Sequence, residues 1–281
     1  MKPEKSWLHN KKIIITGASS GIGKGLVEIL CNSFSCEILG IARNKTKLEN
    51  VKNSLKKPSL FEFELLDVSD EKSWEQLAKK LSLAGKNYDI LINCAGQLPA
   101  FNKFSNYDID ECKKIMEINY FSCVYAIKSL YPMLSNSKSP AIINIASSAP
   151  LCPIAGTSIY SASKASLKAL TECLTFELKD KMFVSLICPG FTKTEIFRNQ
   201  EEVDNSRLMD FICSDCNKVC KKIIKGLHKK KTRMVIGKDA KLMNILYSIM
   251  PKTAMKLCNW IIKKSKIKLF KNVYKKNEKI L

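Results

Sequence analysis

Short apolar runs alternate with longer stretches of helical period along most of the chain. Lys12 to Thr16 is an apolar run that ends in Gly-rich sequence, and apolar positions then recur at helical spacing from Ile22 to Leu30. That reads as strand, tight turn and helix. The next strand-like run is Cys36 to Ala42, followed by a polar helical stretch from Lys45 to Leu55. Leu60 to Leu66 alternates, Asp70 to Leu83 has helical period, and Asp89 to Asn93 is again apolar. A long helical pattern covers Asp108 to Leu134, then come a strand (Ala141 to Ala146), a helix (Ser158 to Leu178) and a strand (Phe183 to Cys188). Met209 to Leu227 reads as a helix and Arg233 to Ile236 as a last short strand. Apolar strands that alternate with helices imply βαβ units, hence a parallel sheet covered on both faces with right-handed crossovers. The expectation is one doubly wound α/β domain over residues 1–237 and a basic, amphipathic helical C-terminal extension over residues 238–281.

Composition sharpens that division. Of 281 residues 46% are hydrophobic, with 11 Gly and 9 Pro, enough for a packed core and too few breakers for a disordered or collagen-like chain. The net charge of +21 is uneven: residues 1–217 hold 27 basic and 24 acidic side chains, residues 218–281 hold 20 and 2. Met1 to Lys12 is polar, which does not serve as a secretory signal. No run reaches the ~18–20 apolar residues of a membrane span; the best candidate, Leu242 to Ile262, is broken by Pro251, Lys252 and Lys256. Several of the twelve cysteines, among them Cys94, Cys173 and Cys188, lie in apolar stretches, where a reduced thiol acts as a small hydrophobe. A cytoplasmic protein with reduced thiols is expected. Cys213, Cys216 and Cys220 have the spacing of one helical face in Ile212 to Leu227. Cys-x-x-Cys is also a metal-ligand spacing, but no fourth ligand is near, so a buried face is expected and no metal site.

Three groups carry chemistry. In Gly17-Ala18-Ser19-Ser20-Gly21-Ile22-Gly23, between strand and helix, glycines let the backbone approach a pyrophosphate that the helix N-terminus attracts. Tyr160 and Lys164 share a helix face at i and i+4. A free Tyr has a pKa near ~10, and a neighbouring cation brings it toward the working range of an acid or base. Ser147, just beyond the strand Ala141 to Ala146, offers a hydroxyl to a carbonyl oxygen. At the end of the second strand, Arg43 stands where an acidic residue would meet the ribose of a cofactor lacking a 2′-phosphate. Arg43, with Lys47 a turn later, offers cations to a 2′-phosphate, so NADP(H) is expected.

The glycine turn, Asn93-Cys94-Ala95-Gly96, Tyr160-Ser-Ala-Ser-Lys164 and Pro189-Gly190, in that order, resemble the short-chain dehydrogenase/reductase family over about residues 11–237. The resemblance implies a Rossmann fold and hydride transfer between NADP(H) and a ketone or secondary alcohol. It makes Tyr160 the proton donor or acceptor, with Lys164 tuning it and holding the nicotinamide ribose. It makes Ser147 the group that orients substrate, preferred over the adjacent Ser148 from the family's usual Ser-to-Tyr separation, and Asn119 the anchor of a relay water. It places Asp67 and Val68 around the adenine and Asn93 and Gly96 along the cofactor channel. It also places Pro189, Gly190 and Thr192 at the nicotinamide end and Thr194 at the diphosphate. Within the family, Asn93 to Gly96, Ile118 to Tyr120 and the Arg43/Lys47 pair look like the 3-ketodihydrosphingosine reductase and steroid-dehydrogenase-like branch. Subunit association through the helices Asp108–Leu134 and Ser158–Leu178 is also implied.

The resemblance also implies that the polar stretch Phe191 to Ser206 forms a loop over the substrate. Leu98, Pro99, Phe101 and Phe104 read either as the opposite, apolar wall or as packed loop edges. In the tail, Leu242, Ile245, Leu246 and Ile249 share a helical face, and Met255, Cys258, Trp260, Ile261 and Ile262 stand among lysines. That pattern suits an anionic membrane surface, or a basic helix packed on the main domain or on a second subunit; nucleic acid is the least favoured polyanion. The rival to an enzyme is an NADP(H)-binding redox sensor or scaffold that uses this tail for partners.

Overall fold

Strands whose residues are apolar throughout have no face to show to water. In the computed structural model, which describes residues 2–194, 213–265 and 267–274, they lie inside a seven-stranded parallel sheet whose edge strand is the alternating, partly exposed Phe61–Leu65. The strands are β1 (Lys12–Thr16), β2 (Glu37–Ala42), β3 (Phe61–Leu65), β4 (Ile90–Asn93), β5 (Ala141–Ile145), β6 (Phe183–Pro189) and β7 (Arg233–Ile236). Their order is β3-β2-β1-β4-β5-β6-β7, and every residue of β4 and β5 is buried. Side chains alternate across the sheet. Ile13 and Ile15 pack with helices α1 (Gly21–Phe34), α2 (Lys45–Ser54) and α7 (Cys216–His228), while Ile14 packs with α3 (Glu71–Leu83) and α5 (Ser122–Ser135). The doubly wound sheet and the helical C-terminal extension are both present as the pattern implied.

Two helices depart from their expected form. The long helical pattern from Asp108 is α4 (Ile109–Met116) and α5, joined by a π-helical turn at Glu117–Phe121. A π turn inserts a residue into the helical ladder, and such turns often lie at functional sites; Asn119 is in it. The helix expected from Met209 starts at Cys216, because the Asp215 carboxylate accepts the Lys218 N–H and caps it there. Cys213 therefore precedes the helix and does not share a face with Cys216 and Cys220, while Met209 to Ile212 lie outside the described residues. Cys220 is fully buried against Gly25, where a Cβ would stand 2.8 Å from its sulfur. Among the described residues no group of metal-ligating side chains forms.

Helix α6 (Ser158–Glu177) follows the loop after β5. Beyond β7 come α8 (Lys238–Ile249), α9 (Pro251–Ser265) and short turns at Lys268–Phe270 and Lys271–Tyr274. Ala240 and Ala254 anchor α8 and α9 in the interior. Of this segment, Lys266 and residues 275–281, with Lys275, Lys276 and Lys279, lie outside the described residues, as does the expected covering loop from residue 195 to 206.

Candidate active site

Strand order reverses between β1 and β4, and in such sheets ligands bind outside the carboxyl ends at that point. The Thr16 hydroxyl closes the lip of the crevice, accepting the N–H groups of Cys94 (2.9 Å) and Ala95 (3.0 Å). A cavity of about 550 Å³ runs from there along the strand ends. Gly17, Ser19, Ser20, Gly21, Ile22 and Gly23 line it at one end. Gly17 and Gly21 take the left-handed φ values +67° and +52° that an L side chain resists, and a Cβ on Gly23 would overlap the Gly17 carbonyl oxygen. The backbone there is therefore open to a close-lying anion at the start of α1.

Arg43, Lys47, Asp67 and Val68 form the neighbouring wall. An Arg43 nitrogen lies 3.5 Å from the Asp67 carboxylate, with both groups substantially exposed. Burial works to raise Asp67, but hydrogen bonds from the Ser69 hydroxyl (2.7 Å) and N–H (3.1 Å), with the Arg43 charge, hold it below its ordinary value. The guanidinium thus faces the cavity beside an ionised carboxylate, a partner that the sequence reading did not pair with it.

Ser147 and Tyr160 both line the cavity wall. Burial pushes the Tyr160 phenol above its ordinary value, opposed by the neighbouring Ser147 hydroxyl. Ser147 also accepts the Ala149 N–H at 3.1 Å. Ser148 is buried, with its N–H donated to the Pro189 carbonyl at 2.8 Å. It is Ser147, of the two candidate serines, that meets Tyr160.

Lys164 is 3% exposed and donates to the Ile145 carbonyl at 3.2 Å. Burial lowers its pKa, partly offset by the nearby thiols of Cys123, Cys94 and Cys188. The expected depression of Tyr160 by Lys164 is not seen: burial is the largest influence on the phenol, and the ammonium donates to the Ile145 carbonyl instead.

Gly96, Pro189, Gly190, Thr192 and Thr194 also line the cavity. Two expected residues do not. Asn93 is 2% exposed and donates to Asn144 at 2.8 Å, which in turn donates to Thr171 at 2.9 Å. It is a core polar link between adjacent strands and α6, not a channel residue. Asn119 is fully buried; it accepts the Gln97 N–H (2.8 Å) and donates to the Gln97 carbonyl (2.9 Å) and Ser163 (3.0 Å). With both amide protons committed, its side chain fixes the Gly96–Gln97 loop rather than presenting donors to a relay water.

The end of the cavity away from the glycine turn is apolar and built partly by the C-terminal segment. Leu98 and Phe101 line the cavity, joined by Cys152, Ile154, Phe191 and Met243. Pro99 is buried but off the wall, and Phe104 is 69% exposed and also off it. Behind the wall Ile267, Phe270 and Val273 complete one apolar cluster with Leu98, Phe101 and Tyr160, the rings of Phe101 and Phe270 stacking at 4.6 Å. Asp239 fastens this segment by accepting the Phe191 N–H at 2.9 Å, with its carboxylate filling the space beside Gly190 and Gly237. The signal for it was legible: Asp239 and Glu278 are the two acidic residues after Lys218.

Comparison with known proteins agrees with this geometry. The short chain dehydrogenase family matches residues 11–205. An uncharacterized oxidoreductase of Staphylococcus aureus is 32% identical over 202 residues, covering 72% of this chain and 86% of the relative. The 3-ketodihydrosphingosine reductase of Bos taurus is 28% identical over 257 residues, covering 88% and 77%. Among solved structures, a short-chain dehydrogenase from Streptomyces avermitilis superposes with a TM-score of 0.75 at 24% identity, covering 91% of this chain and 98% of its own. Another from Sphingobium yanoikuyae, solved in complex with NADPH, gives 0.72 at 23% identity, covering 80% and 87%. With its sheet order, its glycine turn and a family match over most of its length, the chain belongs to the short-chain dehydrogenase family.

Proposed function

We propose that the protein is an NADP(H)-dependent carbonyl reductase that interconverts an apolar, lipid-like ketone and its secondary alcohol. The observation that carries this reading is the convergence of Ser147, Tyr160 and Lys164 on the wall of the cavity whose other end is the glycine turn. The residues fit a dinucleotide: the tight turn, in which a Cβ on Gly17 or Gly23 would press on the backbone of Ala95 or Gly17, leaves its N–H groups open to phosphate, and Arg43 and Lys47 stand where a 2′-phosphate needs cations. The NADPH-bound relative supports the same choice.

When bound, a nicotinamide supplies hydride to a carbonyl carbon or takes it from an alcohol. Tyr160 donates its phenolic proton to the carbonyl oxygen, and Ser147 hydrogen-bonds that oxygen as negative charge develops. The raised Tyr160 pKa keeps the phenol protonated at neutral pH, the form that reduction consumes. Lys164, one turn away on α6, holds a buried cation on the same cavity, suited to ribose hydroxyls and to the phenolate left behind. Leu98, Phe101, Ile154 and Met243 exclude water from the reacting carbonyl and select apolar substrates. The relative named for 3-ketodihydrosphingosine supports a lipid ketone.

The outer faces of α8 and α9 support a membrane-surface location on the cytoplasmic side. Leu242, Ile245 and Ile249 on α8, with Leu257, Trp260 and Ile261 on α9, are exposed beside Lys241, Lys252, Lys256, Lys263 and Lys264. Apolar side chains ringed by lysines favour an anionic bilayer surface. No helix among the described residues is long and apolar enough to cross a membrane. The exposed Phe121 and Phe176, on the helices the family uses for subunit contact, support a homo-oligomer.

The test is a nucleotide titration followed by a ketone panel with anionic vesicles present. NADPH should bind in preference to NADH, and Tyr160→Phe should keep that binding while losing about 10²–10⁴-fold in turnover. A fully active Tyr160→Phe protein sinks the assignment. Tight binding with no turnover on any carbonyl replaces it with a non-catalytic sensor.

A further inference from the structure

Two thiols join the loop after Ser147 to the C-terminal helices. Cys152 closes the short turn Ala149–Leu151, is fully buried and lines the cavity. Cys258 lies in the middle of α9, half-buried against the cluster that contains Tyr160, Met243 and Phe270. The two sulfurs are 3.8 Å apart, the Cys152 thiol donating to Cys258, although 106 residues separate them along the chain. Their approach is held from both sides. The next residue on α9, Asn259, accepts the Ala155 N–H at 2.9 Å and the Tyr274 hydroxyl at 3.1 Å, and Ala254 is buried one turn earlier. A bond length of about 2.05 Å needs the sulfurs to close by less than 2 Å.

We propose that Cys152 and Cys258 form a redox-modification site, a dithiol that small-molecule disulfides of the glutathione type convert into an intrachain disulfide strapping α9 to the catalytic loop. Cys258, the more accessible, reacts first. Its thiolate attacks one sulfur of the small disulfide, breaking that S–S bond and releasing one thiol, and leaves a mixed disulfide on Cys258. Cys152 then gives up its proton and attacks the Cys258 sulfur, expelling the second small thiol. The protein loses two electrons and two protons, and the small disulfide becomes two thiols. Burial and the neighbouring sulfur push the Cys152 thiol up to about 12, which suits a resolving group that stays inert until its partner is activated.

The other close pair does not share this geometry of consequence. Cys216 and Cys220 lie one turn apart on α7, so linking them would constrain no second element. Cys152 and Cys258 span two elements that meet over the substrate end of the cavity. Oxidation there would tie α9 to the cluster of Phe270 and Val273 that backs the cavity wall, with Met243 on the wall itself.

The site stands independently of the hydride-transfer reading, and its test does not use turnover. Full-length native protein is incubated with glutathione disulfide, blocked with N-ethylmaleimide, digested without reductant and mapped by mass spectrometry. A peptide pair joining Cys152 to Cys258 is expected, about 2 Da lighter than the two thiols and released by dithiothreitol. The oxidised protein should melt about 5 °C higher, since the crosslink closes a long loop. Trypsin should no longer separate the α9 fragment on a non-reducing gel. In Cys258→Ser the pair vanishes and Cys152 stays unmodified in the native state. Recovery of both cysteines as free thiols, or of Cys258 only as a glutathione adduct, overturns the proposal while leaving the nucleotide titration to stand or fall by itself.

Discussion

Gly156 gives the most direct test of how the C-terminal segment is held. It sits at φ +86°, and a Cβ there would overlap the Val273 Cγ2 methyl. Its carbonyl accepts the Asn102 N–H at 3.3 Å and the Tyr107 hydroxyl at 3.1 Å, so the turn cannot relax without breaking two ties to the opposite wall. For Gly156→Ala, the left-handed backbone costs roughly 1–2 kcal/mol for an L residue. Displacing Val273, 8% exposed, forfeits about 1.5–2 kcal/mol of apolar burial. The lower entropy of an unfolded Ala returns about 0.4–1 kcal/mol. The net expectation is a loss of about 2–3 kcal/mol, measured by urea unfolding, with faster tryptic cleavage at the C-terminal lysines. Val273→Ala alone removes two methyl groups, about 1.6 kcal/mol. Combined with Gly156→Ala it should cost about 1–2 kcal/mol less than the sum, because the methyl that clashes is gone. A Gly156→Ala protein within 0.5 kcal/mol of wild type, or strictly additive single and double variants, would refute the packing argument.

Arg43→Ala should weaken NADPH about 10- to 100-fold, the worth of hydrogen bonds to a charged group, and leave NADH unchanged in the same fluorescence titration. Equal losses for both nucleotides would show that Arg43 meets no phosphate. Gly23→Ala should abolish binding of either nucleotide while far-UV circular dichroism stays native, since its Cβ would overlap the Gly17 carbonyl oxygen. Lys164 has a folded pKa below its ordinary value, so between those two values the unfolded chain binds more protons and stability rises with pH. Lys164→Met should remove that rise and melt higher than wild type at pH 7, yet lose turnover; a lower melting temperature at pH 7 would contradict the desolvation argument.

The sheet was legible because its strands are short, mostly apolar and punctuated by Gly, Asp or Asn; Lys12–Thr16 and Arg233–Ile236 needed no correction. Tyr160, Lys164 and the glycine turn were legible because each is local. Asn93 was not, since a motif position does not reveal which side of its strand meets the crevice. The polar residue opposite it in register, Asn144 within the apolar run Ala141–Ile145, is the signal that the two bond each other. Arg43 and Asp67 meet across two neighbouring strands, a pairing that spacing along the chain does not encode. Ile267, Phe270 and Val273 are scattered among lysines, and their spacing along the chain does not single them out. Only docking against Phe101 and Gly156 makes them the backing of the cavity wall.

The order in which segments join the cavity has a consequence for synthesis. Domains tend to fold from the N-terminus as the chain emerges. The glycine turn, Arg43 and Asp67 meet the crevice once β4 has inserted beside β1, whereas the apolar end waits for Met243 and for the Ile267, Phe270 and Val273 that back it. A growing chain therefore gains the nucleotide end of its site well before the substrate end. During that interval a bound nucleotide would act as a template for the half-built sheet, and a stalled chain would hold cofactor with nothing to reduce.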